Sequence, residues 1–347
     1  MKLATATIPV YVITIYLVFS FNAYAELYFF GYTASPGEQA NIRAAYSPPP
    51  TVTAVTDIKS AEDAINLGLD GVFLNLENEI WNFVSPSPGD CADYGERYAT
   101  GGVTYSLKEN YKSSIQSFIA ANPSLLTDPD KIKGYVVASE INNGCASIAE
   151  IEEVAYYIKT EITDRIPLIV GDGLSGMSRP YKYPDNIDII APWNYGCLDP
   201  ADGSECASRY SEVLRLLGNR KVIWVLESYC GYRQFDSGLI SESCSSEYVN
   251  LFNKLVINYG NWFKSRPEII GAIAFTWGDF KEGGVNLGAQ SMTGLRPAHQ
   301  FLIHMVDGEY IYEPAPIIEP GKQPGLTTSP TPVPITELGD NVTQFQK

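Results

Sequence analysis

Basic residues and histidines are scarce in this sequence. Its 347 residues include 24 Lys and Arg against 40 Asp and Glu, which gives a formal net charge of −16, and only 2 histidines. Nucleic acids and anionic membrane surfaces are bound through basic patches, so neither is an expected partner. His299 and His304 lie beyond the final predicted strand, and we interpret both as helix-surface or packing residues. A Ser/His/Asp hydrolase or a zinc enzyme with histidine ligands is therefore poorly supported.

Motifs for nucleotides and calcium are missing as well. No GxGxxG follows the first predicted strand, and no GxxxxGK followed by Ser or Thr occurs anywhere. The nucleotide-binding version of an open, doubly wound sheet thus loses its main support. The acidic residues do not show EF-hand spacing. We predict neither a metal nor a cofactor.

Long hydrophobic runs are confined to the start of the chain. Residues 8–21 are almost continuously apolar, follow Met1 and Lys2, and end near Ala23-Tyr24-Ala25. This pattern predicts a secretory signal over residues 1–25, so the protein is expected to be secreted, to the exterior or the periplasm. No later run is long enough to span a bilayer, and stable membrane insertion is not expected.

The composition changes again near the C-terminus. From Pro314 the chain is rich in Pro, Gly, Thr and Ser. Residues 314–347 are predicted to form an extended or disordered tail. Residues 26–313 remain for a single domain, a length that is normal for an α/β barrel.

The cysteines predict disulfides. An even number in an exported chain, with no CxxC pair among the six, favours disulfides over metal ligation. The sequence does not determine their connectivity. An arrangement that closes two short loops pairs Cys197 with Cys206, Cys230 with Cys244 and Cys91 with Cys145.

Eight short β-branched or aromatic runs alternate with helical patterns. Ser147 to Glu150 form a capping box, and Ile151, Val154 and Ile158 then share one helix face. Nearly continuous apolar strands separated by helices indicate a parallel sheet covered on both faces, and eight such units predict a single-domain (β/α)8 barrel of the TIM type. The second unit is expected to be irregular, because Ser47-Pro48-Pro49-Pro50 interrupts any helix. The predicted strands are Leu27–Tyr32, Val52–Asp57, Gly71–Leu76, Gly134–Glu140, Pro167–Gly171, Ile187–Trp193, Val222–Glu227 and Gly271–Trp277.

The residues that finish these runs are the candidate site. Function in a closed barrel lies at the C-terminal ends of the strands. For Asp57 and Asp172 we prefer a helix-cap or solvated-loop interpretation. The candidates for substrate binding are Tyr32, Asp57, Glu77, Asp172, Trp193, Asn194, Tyr195 and Trp277.

Two of the strand ends carry the candidate catalytic pair. Glu140 follows GYVVAS and Glu227 follows VIWVL, so each carboxyl is expected to lie beside apolar side chains that exclude water. A carboxyl in such surroundings is harder to ionise, and one of two facing carboxyls can stay protonated as an acid. Glycoside hydrolysis needs this division of labour, in which one group protonates the leaving oxygen and the other attacks or activates water.

With these strand ends the chain resembles the clan-A (β/α)8 glycoside hydrolases. The resemblance implies that Glu140, after strand four, is the acid/base and that Glu227, after strand seven, is the nucleophile. It also implies that Tyr195 hydrogen-bonds the nucleophile and that Trp277 floors the sugar subsite. The sequence departs from the pattern at Ser139, where most members have Asn. The expected substrate is a β-linked oligo- or polysaccharide, and the expected state is a monomer.

Two alternatives stay open. The segment Asp70 to Glu77, DGVFLNLE, looks like a degraded form of the DGxDxDxE strand of family 18 chitinases, in which the final Glu is the acid. Phe73 and Asn75 replace its middle aspartates, and Glu77 ends the third strand instead of the fourth. The other alternative is a carbohydrate-binding barrel without catalysis, which Ser139 would permit.

Overall fold

The structure is a computed structural model. It describes residues 27–34, 37–84, 90–91, 96–97, 104–139, 141, 146–173, 182–193, 199–200, 205–230, 232–235, 238–241, 246–281, 285–306, 308 and 311–321. The predicted signal segment 1–25 and the tail beyond residue 321 lie outside this part of the chain.

Eight strands close into a barrel in which every neighbouring pair is parallel. Their order around the barrel follows the chain, and the last strand pairs with the first. The predicted (β/α)8 barrel is therefore confirmed. The strands are β1 (Phe29–Thr33), β2 (Val52–Val55), β3 (Gly71–Asn75), β4 (Ile132–Ala138), β5 (Leu168–Gly173), β6 (Ile189–Trp193), β7 (Lys221–Glu227) and β8 (Ile269–Phe275).

Helices lie between the strands and after the last of them. Ser147 caps the helix Ile148–Tyr157 by accepting a hydrogen bond from the Glu150 N–H at 3.4 Å, as the capping box predicts. Ile151, Val154 and Ile158 of that segment are buried. The helices are α1 (Gln39–Ala45), α2 (Ile58–Asn66), α3 (Glu77–Ile80), α4 (Tyr111–Ala121), α5 (Pro123–Leu126), α6 (Ile148–Tyr157), α7 (Glu205–Leu216), α8 (Ser246–Phe263) and α9 (Arg296–Ile303), with a π-helical turn at Ile158–Ile162 and a 3-10 turn at Thr293–Leu295.

The second unit is short but regular, contrary to the expectation of an irregular one. Helix α1 ends at Ala45, and Tyr46 is already extended. The Ser47–Pro48 peptide bond follows in the cis form, and β2 begins four residues after Pro48, at Val52. The prolines thus fall in the connection between helix and strand, where they do not interrupt either element.

Side chains alternate between the barrel interior and the helical layer. A small cluster, with members from seven of the eight strands, fills the interior: Phe29, Val52, Phe73, Ile169, Ile189, Ile223, Ile270 and Ile273. The other face of the strands packs against the helices in the larger core. Behind β7 this core is aromatic, with Trp224 against Tyr210 at 4.6 Å and Trp262 at 5.1 Å between ring centroids. These rings form a rigid wall behind the strand that ends in Glu227.

Additional hairpins follow three of the strands, at the end of the barrel where function is expected. After β3, Trp81–Val84 pairs antiparallel with Thr104–Leu107, and Asp90–Cys91 pairs with Glu96–Arg97. Similar hairpins follow β7 and β8 at Tyr232–Phe235 with Gly238–Ser241 and at Phe280–Lys281 with Val285–Asn286.

The start of the predicted tail lies against the opposite end of the barrel. Residues 311–321 have no regular secondary structure. Buried Lys159 donates to Asp188 at 2.8 Å and to the Tyr312 hydroxyl at 2.9 Å, and the Asn186 side chain exchanges two hydrogen bonds with the backbone of Ile318. The domain boundary at residue 313 stays a prediction.

The described cysteines are compatible with disulfides. Cys230 is buried and disulfide-bonded, and no free cysteine occurs in the described ranges. Cys145, Cys197 and Cys244 lie outside those ranges, so the pairing stays a prediction. In the same ranges, no helix combines the length and the hydrophobicity needed to cross a bilayer.

Candidate functional site

Glu227 ends β7 and points into the barrel mouth. Its neighbour Leu226 belongs to the core outside the barrel, and Ser228 bonds to His299 of α9. Successive side chains of a strand point to opposite sides, so Glu227 projects towards the barrel axis, on the same side as Ile223. It is 3% exposed. The candidate nucleophile is therefore an inward-pointing carboxyl in dry surroundings.

The aromatic wall behind β7 is close to this carboxyl. Burial, the neighbouring hydroxyl of Tyr210 and the charge of Glu227 together raise the pKa of Tyr259 well above its usual value. Tyr259 and Tyr210 are joined by a hydrogen bond between their hydroxyl groups. Tyr259 consequently stays neutral near Glu227 at any ordinary working pH.

A second buried carboxyl, Glu77, lies where β3 meets β4. It accepts hydrogen bonds from the Tyr105 hydroxyl at 2.6 Å, the Asn75 amide at 2.7 Å, the Ser139 hydroxyl at 2.7 Å and the Ser139 backbone N–H. The Glu77 backbone N–H in turn donates to Asn75 at 2.7 Å. Four donors on one carboxylate make it a firm anchor for the end of β4 and for the hairpin strand that contains Tyr105.

The chain on either side of Glu140 is held in place, although Glu140 itself lies outside the described residues. Ser139 is bound to Glu77, and the Ile141 N–H donates to the Gly171 carbonyl at 3.1 Å. Gly171 is needed here because a Cβ at that position would lie 2.1 Å from the backbone carbonyl oxygen of Ser139. The connection after β4 therefore packs closely onto β5.

Trp277 lies just after β8 and is almost completely buried. Its backbone N–H donates to Thr33 at 3.1 Å, and its ring meets Tyr32 edge-on, with 5.2 Å between centroids. The Arg296 guanidinium lies 6.0 Å from the indole centroid. Since the residue is only 1% exposed, a sugar ring would reach its face only after the covering side chains move.

Tyr32 faces the helices instead of the barrel mouth. Its hydroxyl bonds to His299 Nδ1 at 2.7 Å and to the hydroxyl of Tyr46, and His299 Nε2 bonds to Ser228 Oγ at 2.9 Å. His299 is completely buried. Of the two interpretations of this histidine, packing is correct and helix surface is wrong, whereas His304 is exposed.

Burial of His299 gives a pH-dependent stability that can be measured. Burial lowers its pKa from 6.5 to about 3. Below pH 6.5 the unfolded chain binds a proton that the folded chain does not take up until about pH 3, so stability falls as the pH falls through this window. The loss from this residue at pH 4 is on the order of 3 kcal/mol.

Urea unfolding at pH 7 and pH 4 checks this prediction. The difference in unfolding free energy between the two pH values is expected to be smaller in His299→Gln than in the wild-type protein, because glutamine does not titrate. An equal difference in both proteins would contradict it. His304→Gln serves as the control, since it removes an exposed histidine that follows the last residue of the same helix.

The other strand-end candidates have varied surroundings. Asp57 caps α2, accepting from the Ser60 N–H at 2.9 Å and the Ser60 hydroxyl at 2.7 Å. Asp172 lies within β5, is completely buried and accepts from the Tyr183 hydroxyl, so the helix-cap or solvated-loop interpretation is wrong for this residue. Trp193 ends β6 on the interior-facing register, opposite Gly173 of β5, and is 9% exposed. Asn194 and Tyr195 lie outside the described residues.

The sequence analysis missed Tyr105 and the contacts that Ser139 and His299 make in the site. Tyr105 and Ser139 meet Glu77 only through contacts between residues 28 and 62 positions apart in the chain. For His299 a signal exists, because Leu302 and Ile303 follow at i+3 and i+4 and place it on the apolar face of α9. In the described part of the chain, no group of three or more His, Cys, Asp or Glu side chains is arranged to hold a metal ion.

Several solved structures with a similar fold are glycoside hydrolases. Xylanase 10B from Thermotoga maritima aligns at 12% identity with a TM-score of 0.48 and covers 82% of this chain and 98% of its own. A β-1,4-mannanase of family GH113 aligns at 13% identity with a TM-score of 0.47, covering 81% and 99%. Chitinase ChiB of family GH18 from Flavobacterium johnsoniae aligns at 9% identity with a TM-score of 0.46, covering 80% and 95%.

The similarity concerns the fold and gives no information on substrate or mechanism. No protein-family model matches the chain, and a comparison with curated proteins finds no match.

Proposed function

We propose that this protein is a secreted glycoside hydrolase that cleaves a β-linked glycan with retention of configuration. Glu227 is the nucleophile in this proposal, and Glu140 is the acid/base. Glu227 attacks the anomeric carbon while Glu140 protonates the leaving oxygen, and Glu140 then removes a proton from the water that hydrolyses the glycosyl-enzyme. No metal or cofactor takes part in these steps.

The observation that carries the proposal is the position of Glu227. It is an inward-pointing carboxyl at the C-terminal end of β7, 3% exposed and backed by an aromatic wall. Residue 140 follows the end of β4 by two positions, and its neighbours Ser139 and Ile141 are held at that end of the barrel. Strands four and seven lie across a closed ring of eight, which favours two carboxyls that face one another.

Glu77 has a structural role in this proposal. A family 18-like mechanism would need Glu77 as a proton donor, but its oxygens accept from Asn75, Tyr105 and Ser139. A carboxylate with this set of donors is built to accept hydrogen bonds. Because the Ser139 hydroxyl donates to Glu77, it does not point towards the sugar, whose 2-hydroxyl is contacted by the Asn at this position in most clan-A enzymes.

One observation favours a second candidate, a carbohydrate-binding barrel without catalysis. Trp277 and Glu227 are 1% and 3% exposed, so a substrate has little access to either until the residues above them move. A binding protein would retain affinity for a glycan and show no turnover.

Product stereochemistry tests the proposal. The protein is incubated with a panel of β-linked polysaccharides and aryl β-glycosides, and the first product anomer is observed by proton NMR. Retention predicts that the β-anomer appears first and then mutarotates. An initial α-anomer would show inversion and would contradict the nucleophile role, and binding without hydrolysis across the panel would favour the non-catalytic candidate.

A further inference from the structure

A buried chain of hydrogen bonds joins the ends of β7 and β1 to helix α9. It runs from Ser228 through both ring nitrogens of His299 to Tyr32 and on to Tyr46. Three of these residues are 0% exposed and Tyr46 is 7% exposed. We call these four residues the histidine network.

The network is uncharged, and its geometry is fixed. A neutral imidazole donates through one nitrogen and accepts through the other, so both bonds of His299 are made at once. Its partners lie 71 and 267 positions away in the chain, and each ring nitrogen meets a different barrel strand end. The ring therefore fixes the distance between these two ends.

The network is too deeply buried to act as a nucleophilic Ser-His pair. Ser228 and His299 are both 0% exposed, so no substrate reaches the serine oxygen. The second partner of the histidine is the Tyr32 hydroxyl, where hydrolases of that kind use a carboxylate. The network can act on chemistry only through the residues next to it.

Ser228 gives the network a direct connection to the candidate nucleophile. It follows Glu227 in the chain, its N–H donates to the Phe275 carbonyl of β8 at 2.7 Å, and its side chain is held by His299 at 2.9 Å. Consecutive Cα atoms are about 3.8 Å apart, so a shift of Ser228 is passed on to Glu227. Backbone and side chain of Ser228 are thus fixed separately.

We infer that His299 is a positioning residue, which holds the Glu227 carboxyl in its reactive orientation through Ser228. The inference rests on the proposed glycosidase function and deepens it. Tyr32, at the other nitrogen, packs edge-on against Trp277 at 5.2 Å, so the same ring also supports the candidate sugar platform. On this basis Nε2 of His299 acts on the position of Glu227 through Ser228, and Nδ1 acts on Trp277 through Tyr32.

Two conservative substitutions of His299 separate the effects of its two ring nitrogens. A glutamine amide reaches the place of Nε2 and can keep the bond to Ser228, whereas an asparagine amide reaches only the place of Nδ1 and can keep the bond to Tyr32. His299→Asn and Ser228→Ala are expected to lower kcat on the order of 10-fold or more with a small change in KM, because a misplaced nucleophile slows chemistry more than binding. His299→Gln is expected to keep kcat within a few-fold of wild type and to raise KM.

Thermal unfolding of each variant separates positioning from general loss of structure. His299→Gln and His299→Asn are expected to be destabilised to a similar extent, while their kcat values differ. Equal kcat values in these two variants, or an unchanged kcat in Ser228→Ala, would overturn the inference. Ser228→Ala removes a single oxygen and keeps the test valid if a histidine variant does not fold, and His304→Gln is the matched control.

A measurement without turnover distinguishes this inference from the proposed function. In protein labelled with carbon-13 at the Glu side-chain carboxyl, the Glu227 signal is assigned by its loss in Glu227→Gln and is titrated with pH. The titration curve is expected to move in Ser228→Ala and His299→Asn and to stay unchanged in His299→Gln. If wild type hydrolyses nothing but the curve moves in this way, the function proposal fails and the positioning role stands. An unmoved curve in Ser228→Ala removes the positioning role even in an active enzyme.

Discussion

Replacing Glu227 by glutamine is expected to lower kcat by at least about 10³-fold while glycan affinity stays within a few-fold of wild type. Glutamine has the same shape and fits the same buried position, but its amide is a poor nucleophile for the anomeric carbon. The turnover is measured by the release of reducing sugar, and the affinity is measured by calorimetry with an oligosaccharide that the wild-type protein cleaves.

The control for this variant is Glu268→Gln. Glu268 lies just before β8 at the opposite end of the barrel, so its replacement is expected to leave kcat unchanged. Azide adds a positive test, because in Glu227→Ala the small anion can occupy the space of the missing carboxylate and attack an activated aryl β-glycoside. The expected product is the α-glycosyl azide. Retention of more than a tenth of the wild-type kcat in Glu227→Gln would remove Glu227 from the mechanism.

The barrel was predictable because each of its units has a local signature. An apolar run of five to seven residues followed by a helix with one apolar face encodes a β/α unit without reference to the rest of the chain, as β7 (Lys221–Glu227) and α8 (Ser246–Phe263) show. The boundaries were less accurate. Strand β4 begins at Ile132 and ends at Ala138, where the prediction has Gly134 and Glu140, since hydrogen bonding to neighbouring strands and not the local pattern determines where a strand stops.

The interactions that hold the site together were not predictable. Glu77 was identified as a strand-end carboxyl, but three of its four hydrogen-bond donors come from the hairpin at Tyr105 and from the end of β4, and only Asn75 is near in the chain. Such contacts join residues far apart in the chain, and no local spacing encodes them. The same is true of the bond between Ser228 and His299, which depends on the closure of the barrel and on the direction of α9.

The rule that functional residues lie at strand ends also does not distinguish side chains that point in different directions. Tyr32 and Glu227 both lie at strand ends, yet Glu227 points to the barrel axis and Tyr32 points to α9. The alternation of side chains along a strand separates these two cases once the register is known. A single residue of shift in the predicted strand end would exchange them, which is why sequence alone gives a set of candidates and not a site.

Replacing Glu140 by glutamine is expected to have an effect that depends on the leaving group. The leaving group of a natural glycan is a poorly stabilised alkoxide that needs a proton, so hydrolysis of natural glycans is expected to fall by about 10²- to 10⁴-fold. Dinitrophenolate leaves without a proton, so kcat/KM for a dinitrophenyl β-glycoside is expected to remain near the wild-type value. The measurement is kcat/KM over a series of aryl β-glycosides with leaving groups of increasing basicity, where the variant is expected to show the steeper dependence.

Glu77→Gln is the comparison variant for this experiment. Glu77 anchors Ser139, which directly precedes Glu140, so its replacement disturbs the same strand end without removing a proton donor. A structural loss of this kind is expected to lower kcat/KM by a similar factor for every leaving group. If Glu77→Gln shows the steep dependence and Glu140→Gln does not, then Glu77 is the acid and the family 18-like mechanism replaces the one proposed. If both variants lose activity evenly, neither carboxyl donates the proton, and the assignment of the acid must move to another residue of the barrel mouth.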